Sequence, residues 1–476
     1  MLWLGLYFPE LPLEVFLHGT TDRSPAAVHA VREGRETVLR CNATARAGGV
    51  HPGLPVPAAL ALLPRLRLWP RDAGRERRAM ETLALWAWQF SSRLYREPAL
   101  LLFEIGASLR LFGGIEALLG RIEAELPALG HEVRRAVAHT ATAAALLARE
   151  RPGARVASRE ALLPWLEDIP MARLSADPRV RQLVRDIGLH SIGDVLRLPR
   201  PELARRVGPG LPALLDRLLG DAPDPRPAWR PPPHFLEWLE LPAELDDREA
   251  LRFPARRLLL TLCGWLRGQG AATQHLRWRL RHPDDLPETA FAQTLLRPER
   301  DAEYLLARFG ERLQRLELPA PVRALGLEVR DCLPFSERTA ALLDAPAGGD
   351  AAGEWLERLH SRLGPRLTGL CPVADHRPER AQRCCVPGET GARPSWRGEL
   401  PLWLLPQPRP LRVRAGRPWH RGALELLGPP RRIETGWWDG DDVARDYYLA
   451  RNPANERFWI YRDRRGGGWF LQGLFD

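Results

Sequence analysis

Ala99-Leu100-Leu101-Leu102-Phe103 is an unbroken apolar run flanked by turn-forming residues, Pro98 before it and Gly106 after it. Such a run reads as a strand buried on both faces, which forces the surrounding chain to supply cover. The neighbouring sequence does so. Leu2–Tyr7 is a second apolar strand ended by a proline, and Val133–His139 is a third. Met80, Leu83, Ala87, Phe90 and Leu94 have helical spacing over Met80–Tyr95. Ile115–Leu126 places Ile115, Leu118, Leu119, Ile122 and Leu126 on one face, and Ala141–Arg149 is an alanine-rich helix. This alternation predicts an α/β layer for the first part of the chain.

At 476 residues the chain is long enough for about three to four domains. From Leu166 to about Gly220 the pattern is helical. Ile187-Gly188-Leu189-His190-Ser191-Ile192-Gly193-Asp194 joins two short helices, with Asp194 expected to cap Val195–Leu198. Ala222–Pro233 is a proline-rich, semi-extended linker and an expected boundary. Phe235–Asp331 combines a helix over roughly Leu251–Arg267 with strands. Leu276, Trp278 and Leu280 alternate there with Arg277, Arg279 and Arg281, as in a half-buried strand. Ala345–Gly353 is a second, small-residue linker. The remainder, Glu354–Asp476, carries eight of the 17 Trp residues and reads as a helix followed by short strands.

The 69 basic residues are all arginine, against 59 acidic ones, for a net charge of +10. Without lysine there is no Schiff-base or P-loop chemistry. Arginine forks suit phosphate, and the basic balance favours a nucleic-acid partner. The six cysteines are scattered without a C-x-x-C pair, so a zinc site built on Cys371, His376 and Cys384-Cys385 is a poor fit. The pattern suits a reducing cytoplasm. Leu2–Phe8 is too short to span a bilayer.

Several of these segments resemble one family. Arg110-Leu111-Phe112-Gly113 after the buried strand, and Ala43-Thr44-Ala45-Arg46-Ala47-Gly48-Gly49-Val50 with its following His51-Pro52-Gly53-Leu54, are similar to motifs of the Y-family (DinB/UmuC-like) lesion-bypass DNA polymerases. The resemblance implies an α/β and α+β multidomain fold. Palm would be 1–25 and 80–165, fingers 26–79, helical thumb with a helix-hairpin-helix 166–221, linker 222–233 and little finger 234–331. A second linker, 332–353, would lead to a small, mainly β C-terminal region, 354–476. In working family members carboxylates on two palm strands hold the catalytic metals. Aligned on the motifs, those positions fall on Gly5, Ala99 and Leu100. A tyrosine and a lysine that contact the triphosphate fall on Ala43 and Ala145, and only Arg46 of that clamp matches. The resemblance thus implies a vestigial nucleotide site, no catalytic residues, no metal and no cofactor. An active polymerase using Glu10, Glu14 or Glu104 is the alternative, with Glu104 otherwise a capping or surface group.

In the thumb, Gly188, Ser191, Ile192 and Gly193 would offer backbone N–H groups to DNA phosphates. In the little finger, Arg277, Arg279 and Arg281 could track a phosphate backbone, or form a solvated sheet face. Leu333-Pro334-Phe335 follows the last strand where family members place a sliding-clamp peptide, though the usual glutamine is absent. Leu400–Trp403 is a rival segment, expected to be a core strand. The segments Asp375–Ala381, Ile433–Gly440, Arg445–Tyr448, Trp459–Asp463 and Trp469–Gly473 are similar to the tail of inactive family members from bacterial damage-induced mutagenesis cassettes. Trp437, Trp438, Tyr447, Tyr448, Trp469 and Phe470 would contact partners or fill a small β core. The function implied is a non-catalytic adaptor in translesion synthesis. Its expected partners are primer-template DNA, the sliding clamp, a RecA-like protein and an error-prone C-family polymerase. It would be cytoplasmic and nucleoid-associated.

Overall fold

The computed structural model describes residues 1–17, 24–32, 34–174, 177–284, 286–335, 355–356, 358–359, 363, 366–373, 375, 377–385, 400–436, 440 and 442–475. Two compact units result, Met1–Pro346 and Ala347–Asp476.

The first unit is built on a five-stranded sheet. Its order is Leu94–Glu97, Leu100–Glu104, Trp3–Tyr7, Arg134–Ala138 and Arg155–Val156, antiparallel except for the last pair. Trp3–Tyr7 lies between two partners, with Tyr7 opposite Leu100 and Trp3 opposite Glu104. One face presents Leu4, Leu6, Leu101 and Phe103 to the helices Ala73–Ala87 and Ile115–Leu129. The other presents Trp3, Leu100 and Leu102 to the helix Ala141–Glu150.

Two expected boundaries shift. The helix expected to reach Tyr95 stops at Ala87. The Ser91 hydroxyl donates to Glu104 O (2.7 Å) and accepts from Arg93 N (3.1 Å), offering the backbone an alternative to the helix. Phe90 stays buried, so the period outlasts the helix, and Leu94–Glu97 becomes the edge strand. Ala99 leaves the buried strand: with φ of +54° it forms the turn with Pro98, and the strand is Leu100–Glu104.

Residues 26–70 form a three-stranded sheet, Arg35–Cys41, Ala26–Arg32 and Arg67–Pro70, with the helices Ala43–Ala47 and Val56–Leu62. Helices Pro178–Asp186, Ile192–Leu196, Arg200–Val207 and Gly210–Leu219 share a core with Ala141–Glu150. A four-stranded antiparallel sheet follows, ordered Thr289–Glu299, Ala271–Arg281, Val322–Val329 and Phe235–Leu245. Helices Arg252–Gly268 and Ala302–Leu313 pack on it.

The proline-rich 222–233 segment is a pinned strap rather than a free linker. Trp229 is buried, its N–H reaches Leu94 O at 2.8 Å and its indole reaches Glu81 at 2.7 Å. Arg226 pairs with Glu97 and Asp224. Composition showed the extended backbone but not the one tryptophan that anchors it.

In the second unit, strands Arg417–Trp419, Trp403–Arg414, Trp469–Leu474, Arg457–Asp463, Val443–Arg451 and Glu425–Leu426 form a sheet in that order, and Arg431–Thr435 also pairs with Val443–Arg451. No helix among the described residues is long and apolar enough to cross a membrane.

Candidate functional site

A cleft of about 730 Å³ opens between the central sheet, the 26–70 segment and the helical segment after it. Arg134, Arg149 and Arg173 line it together with Arg40 and Arg46, against the carboxylates of Glu10 and Glu150. Arg46 is placed by the helix Ala43–Ala47, whose cap, Asn42, accepts from Ala45 N at 2.9 Å. Its guanidinium donates to Cys41 O at 3.2 and 3.0 Å. Arg40 donates to Pro9 O at 2.8 Å. Glu10 lies 3.8 Å from Arg40 and 3.9 Å from Arg46. Burial pushes its carboxyl above the ordinary range, and the two arginines pull it back. Arg149 lies over the Tyr7 ring at 5.6 Å. Planar cations around an open cleft suit phosphate oxygens.

The floor beside this cleft does not suit a metal ion. Gly5 packs so tightly on the helix Ala141–Glu150 that an added Cβ would lie 2.7 Å from Ala144 O and 3.3 Å from Ala148 Cβ. Leu100 is fully buried, Ala99 turns at the strand's end, and none of the three carries a donor atom. Ala145 is buried in the same helix. Ala43 opens the helix that carries Arg46.

The acids proposed as substitutes are separated. Glu104 sits at the far end of its strand, four residues or about 13 Å from Leu100. It caps backbone N–H groups of Leu2 (3.2 Å), Gly106 (3.0 Å) and Ala107 (3.4 Å). Glu14 accepts from His131 Nδ1 at 2.8 Å and Glu132 N at 2.7 Å. Only Glu10 of the three lines the cleft. Among the described residues no group of three or more His, Cys, Asp or Glu side chains is placed to hold a metal ion.

The hairpin at 187–194 forms as two helices joined by a tight turn, with Gly188 at φ of +77°. Its cap differs from expectation. Ser191, rather than Asp194, is the N-cap of Ile192–Leu196, and Asp194 closes a reciprocal capping box. The S-x-x-D spacing carried that signal. Asp194 Oδ2 accepts from Ser191 N (3.0 Å) and His190 N (3.2 Å), which holds its carboxyl below the ordinary range. Ile192 N donates to Ile169 O (2.8 Å) and Asp194 N to Ser191 Oγ (3.1 Å). Gly193 is required because a Cβ would lie 2.6 Å from Glu167 O.

The arginine stripe lies on the strand Ala271–Arg281 as expected, with Leu276, Trp278 and Leu280 buried beneath it. Arg279 and Arg281 share one carboxylate, Glu288, at 2.6 and 2.8 Å. Both also lie over the Trp238 ring, at 5.1 and 3.7 Å. Arg277 is exposed.

Residues 19–149 match the model of the impB/mucB/samB family. Two strains of Caulobacter vibrioides, NA1000/CB15N and ATCC 19089/CB 15, have a relative named Protein ImuB. It is 29% identical over 465 residues, covering 90% of this chain and all of the relative. Residues 19–149 are thus similar to the impB/mucB/samB family, and the chain is similar to the ImuB relative along most of its length. Solved structures with similarity include an insertion ternary complex of Dbh DNA polymerase. It is 16% identical, covering 69% of this chain and 98% of that one, with a TM-score of 0.39. DinB from Sulfolobus solfataricus is also 16% identical, covering 71% and 100%, with a TM-score of 0.37.

Leu333–Pro334 forms a short edge strand on Ala271–Ala272, and Phe335 N donates to Gly270 O at 3.0 Å. The Arg300 guanidinium covers the Phe335 ring at 3.9 Å. Leu333 and Pro334 are exposed. Leu400–Trp403 is not a core strand: Leu402 and Trp403 are 79% and 65% exposed.

The tail's aromatic residues divide. Tyr447 is 1% exposed, stacks on Trp459 at 4.6 Å and donates to Gln472 at 2.7 Å, so it is core and unable to reach a partner. Tyr448, Trp469 and Phe470 are half-buried. Trp437 and Trp438, like His376, lie outside the described residues. Glu379 explains the Asp375–Ala381 segment. It accepts from Arg445 and Gln472, both at 2.9 Å, and so ties that segment to the sheet below Tyr447. Sequence reasoning set the two segments side by side without linking them. A glutamate facing an arginine and a glutamine on two strands separated by a third has no local signature.

Proposed function

We propose that this chain is a non-catalytic polymerase homologue that binds DNA as an adaptor in damage-induced mutagenic translesion synthesis. It holds primer-template DNA through the arginine-lined cleft, the helical hairpin and the Arg277 surface, without reading sequence. It engages the sliding clamp through Leu333-Pro334-Phe335. It recruits the RecA-like protein ImuA and an error-prone C-family polymerase through its C-terminal region, in the cytoplasm at the nucleoid. The proposed organisation keeps the palm, fingers, thumb, little finger and tail limits given above.

The observation that carries this reading is the packing at Gly5. A carboxylate there would have to displace the backbone of Ala144. Two-metal nucleotidyl transfer needs acids converging on one point; at the start of the buried strand Ala99 and Leu100 lie beside Phe8 and Tyr7, and none of these four carries a carboxylate.

Primer extension with Mg²⁺ or Mn²⁺ tests the absence of catalysis. No template-directed incorporation is expected. Incorporation that Glu10→Gln abolishes would overturn the reading in favour of an active lesion-bypass enzyme. Co-elution with the sliding clamp tests the adaptor part. Its loss in the Leu333→Ala/Phe335→Ala double variant is expected, and its persistence would move the contact elsewhere, with Leu402 and Trp403 next to be replaced.

A further inference from the structure

The face of the central sheet that looks away from the cleft is covered by helices, and on them sits the whole 235–335 module. Leu4, Leu6 and Phe103 of the sheet, Trp86 of the Ala73–Ala87 helix, and Leu259, Trp265 and Trp278 of the module belong to one continuous buried cluster. The helices Ala73–Ala87 and Arg252–Gly268 cross at two glycines one turn apart. A Cβ at Gly264 would lie 2.5 Å from Trp86 O and 2.7 Å from its Cα. One at Gly268 would fall against the Trp88 ring. Trp86 and Trp265 flank the crossing with no exposed surface.

Around this dry centre runs a closed polar rim. Arg257, buried in the module's helix, donates to His131 Nε2 at 3.0 Å, and His131 Nδ1 donates to Glu14 at 2.8 Å. Arg257 of one part is therefore linked to Glu14 of the other through a fully enclosed imidazole. On the other flank Thr82 donates to Glu237 at 2.6 Å. At the helix ends Arg267 donates to Gln89 at 3.3 Å and Arg75 to Glu240 at 3.3 Å. Finally the strap closes the seam: Trp265 Nε1 donates to Pro232 O at 3.2 Å.

Domains joined by a linker move relative to one another by default, unless their interface is large and apolar like a core. This interface has a core's features. We propose that the 235–335 module is permanently docked on the back of the palm sheet, so that residues 1–335 act as one rigid frame. The module does not swing on its linker to meet a ligand. The arginine cleft and the Arg277 surface keep a fixed separation, set by the Gly264–Trp86 crossing, whether or not anything is bound. This inference goes beyond the adaptor reading and stands without it.

A protease site inserted between Pro233 and His234 of the full-length chain tests it. This cut removes the covalent link, so only non-covalent contacts can hold the pieces together. After cleavage the fragments 1–233 and 234–476 are expected to co-elute on size exclusion at micromolar concentration. Separation would overturn the proposal. In the nicked protein Gly264→Leu is expected to weaken association roughly 10- to 100-fold, because the larger side chain drives the helices apart. Arg257→Met is the milder second variant, and far-UV circular dichroism of the uncut proteins reports whether each folds. Co-elution unchanged in a folded Gly264→Leu protein would place the holding contacts elsewhere and would equally overturn it.

Discussion

Gly5→Asp is the most informative single change, because it restores a carboxylate to the strand where the polymerase resemblance expects one. An alanine there already brings Cβ to 2.7 Å from Ala144 O and 3.0 Å from Ala144 C. Helix backbone cannot yield as a side-chain tip can, so the sheet and the Ala141–Glu150 helix must separate. Overpacking of this kind costs about 1–3 kcal/mol. Reduced freedom of the unfolded chain returns about 0.4–1 kcal/mol of that. The aspartate adds a buried carboxyl without a partner, a further 1–3 kcal/mol or so. A total of about 2–5 kcal/mol follows for Gly5→Asp, and about 1–2 for Gly5→Ala. With an unfolding entropy of about 2.1 cal/mol/K per residue over a 346-residue unit, the aspartate variant should melt about 3–7 °C lower. Differential scanning calorimetry measures this, and primer extension on the same sample asks whether chemistry returns. A Gly5→Asp protein as stable as the parent, or one with Mg²⁺-dependent synthesis, would refute the claim that this position is sealed.

Other perturbations follow from the same contacts. Trp229→Ala removes the strap's buried indole and its bond to Glu81, and should cost about 3–5 kcal/mol; limited proteolysis within 222–233 should accelerate, and an unchanged cleavage rate would show that the strap is held elsewhere. Burial raises the Glu237 carboxyl to about 7, so between its ordinary 4.5 and 7 the native state keeps a proton that the unfolded chain releases. Stability should therefore fall as pH rises through that window and level off above it, and the difference in urea midpoint between pH 5.5 and pH 8 should shrink in Glu237→Gln. DNA binding should weaken with salt, and Arg277→Ala should reduce the salt slope by about one ion. Glu288→Gln frees Arg279 and Arg281 and should tighten binding; fluorescence anisotropy reads both, and an unmoved affinity would leave that surface a solvated sheet face.

Periodicity revealed the strands and helices because their faces are uniform. Leu4 and Leu6 against Gly5 and Tyr7, or Leu276, Trp278 and Leu280 against three arginines, repeat every second residue. Features without a period stayed hidden. Ser91 stops a helix whose apolar spacing continues, because one hydroxyl bonds backbone from another strand. Glu379 meets Arg445 and Gln472 across 66 and 93 residues. Gly5 reads as a weak spot in a strand, and only the helix above it gives the reason. Gly264 and Gly268 stayed hidden likewise: they lie one turn apart in their helix, but only the Trp86 backbone and the Trp88 ring against them give the reason. The partner-facing role expected of Tyr447 failed for a related reason: a tyrosine amid aromatic residues looks the same whether its hydroxyl meets solvent or a buried glutamine.

The arginine cleft and the strand positions where the resemblance would put acids offer different chemistry. At the latter, Gly5 packs against Ala144, Leu100 is in the core and Ala99 is in a turn. On the walls, five arginines still face two glutamates. At Gly5 the helix packing itself bars a carboxylate, because the side chain would first have to displace the backbone of Ala144. Two of the wall arginines are held by carbonyls, Arg46 by Cys41 and Arg40 by Pro9, and both also face Glu10, at 3.9 and 3.8 Å. On the proposed reading, affinity for phosphate rests on the arginines of the cleft and does not require a carboxylate at Gly5, Ala99 or Leu100.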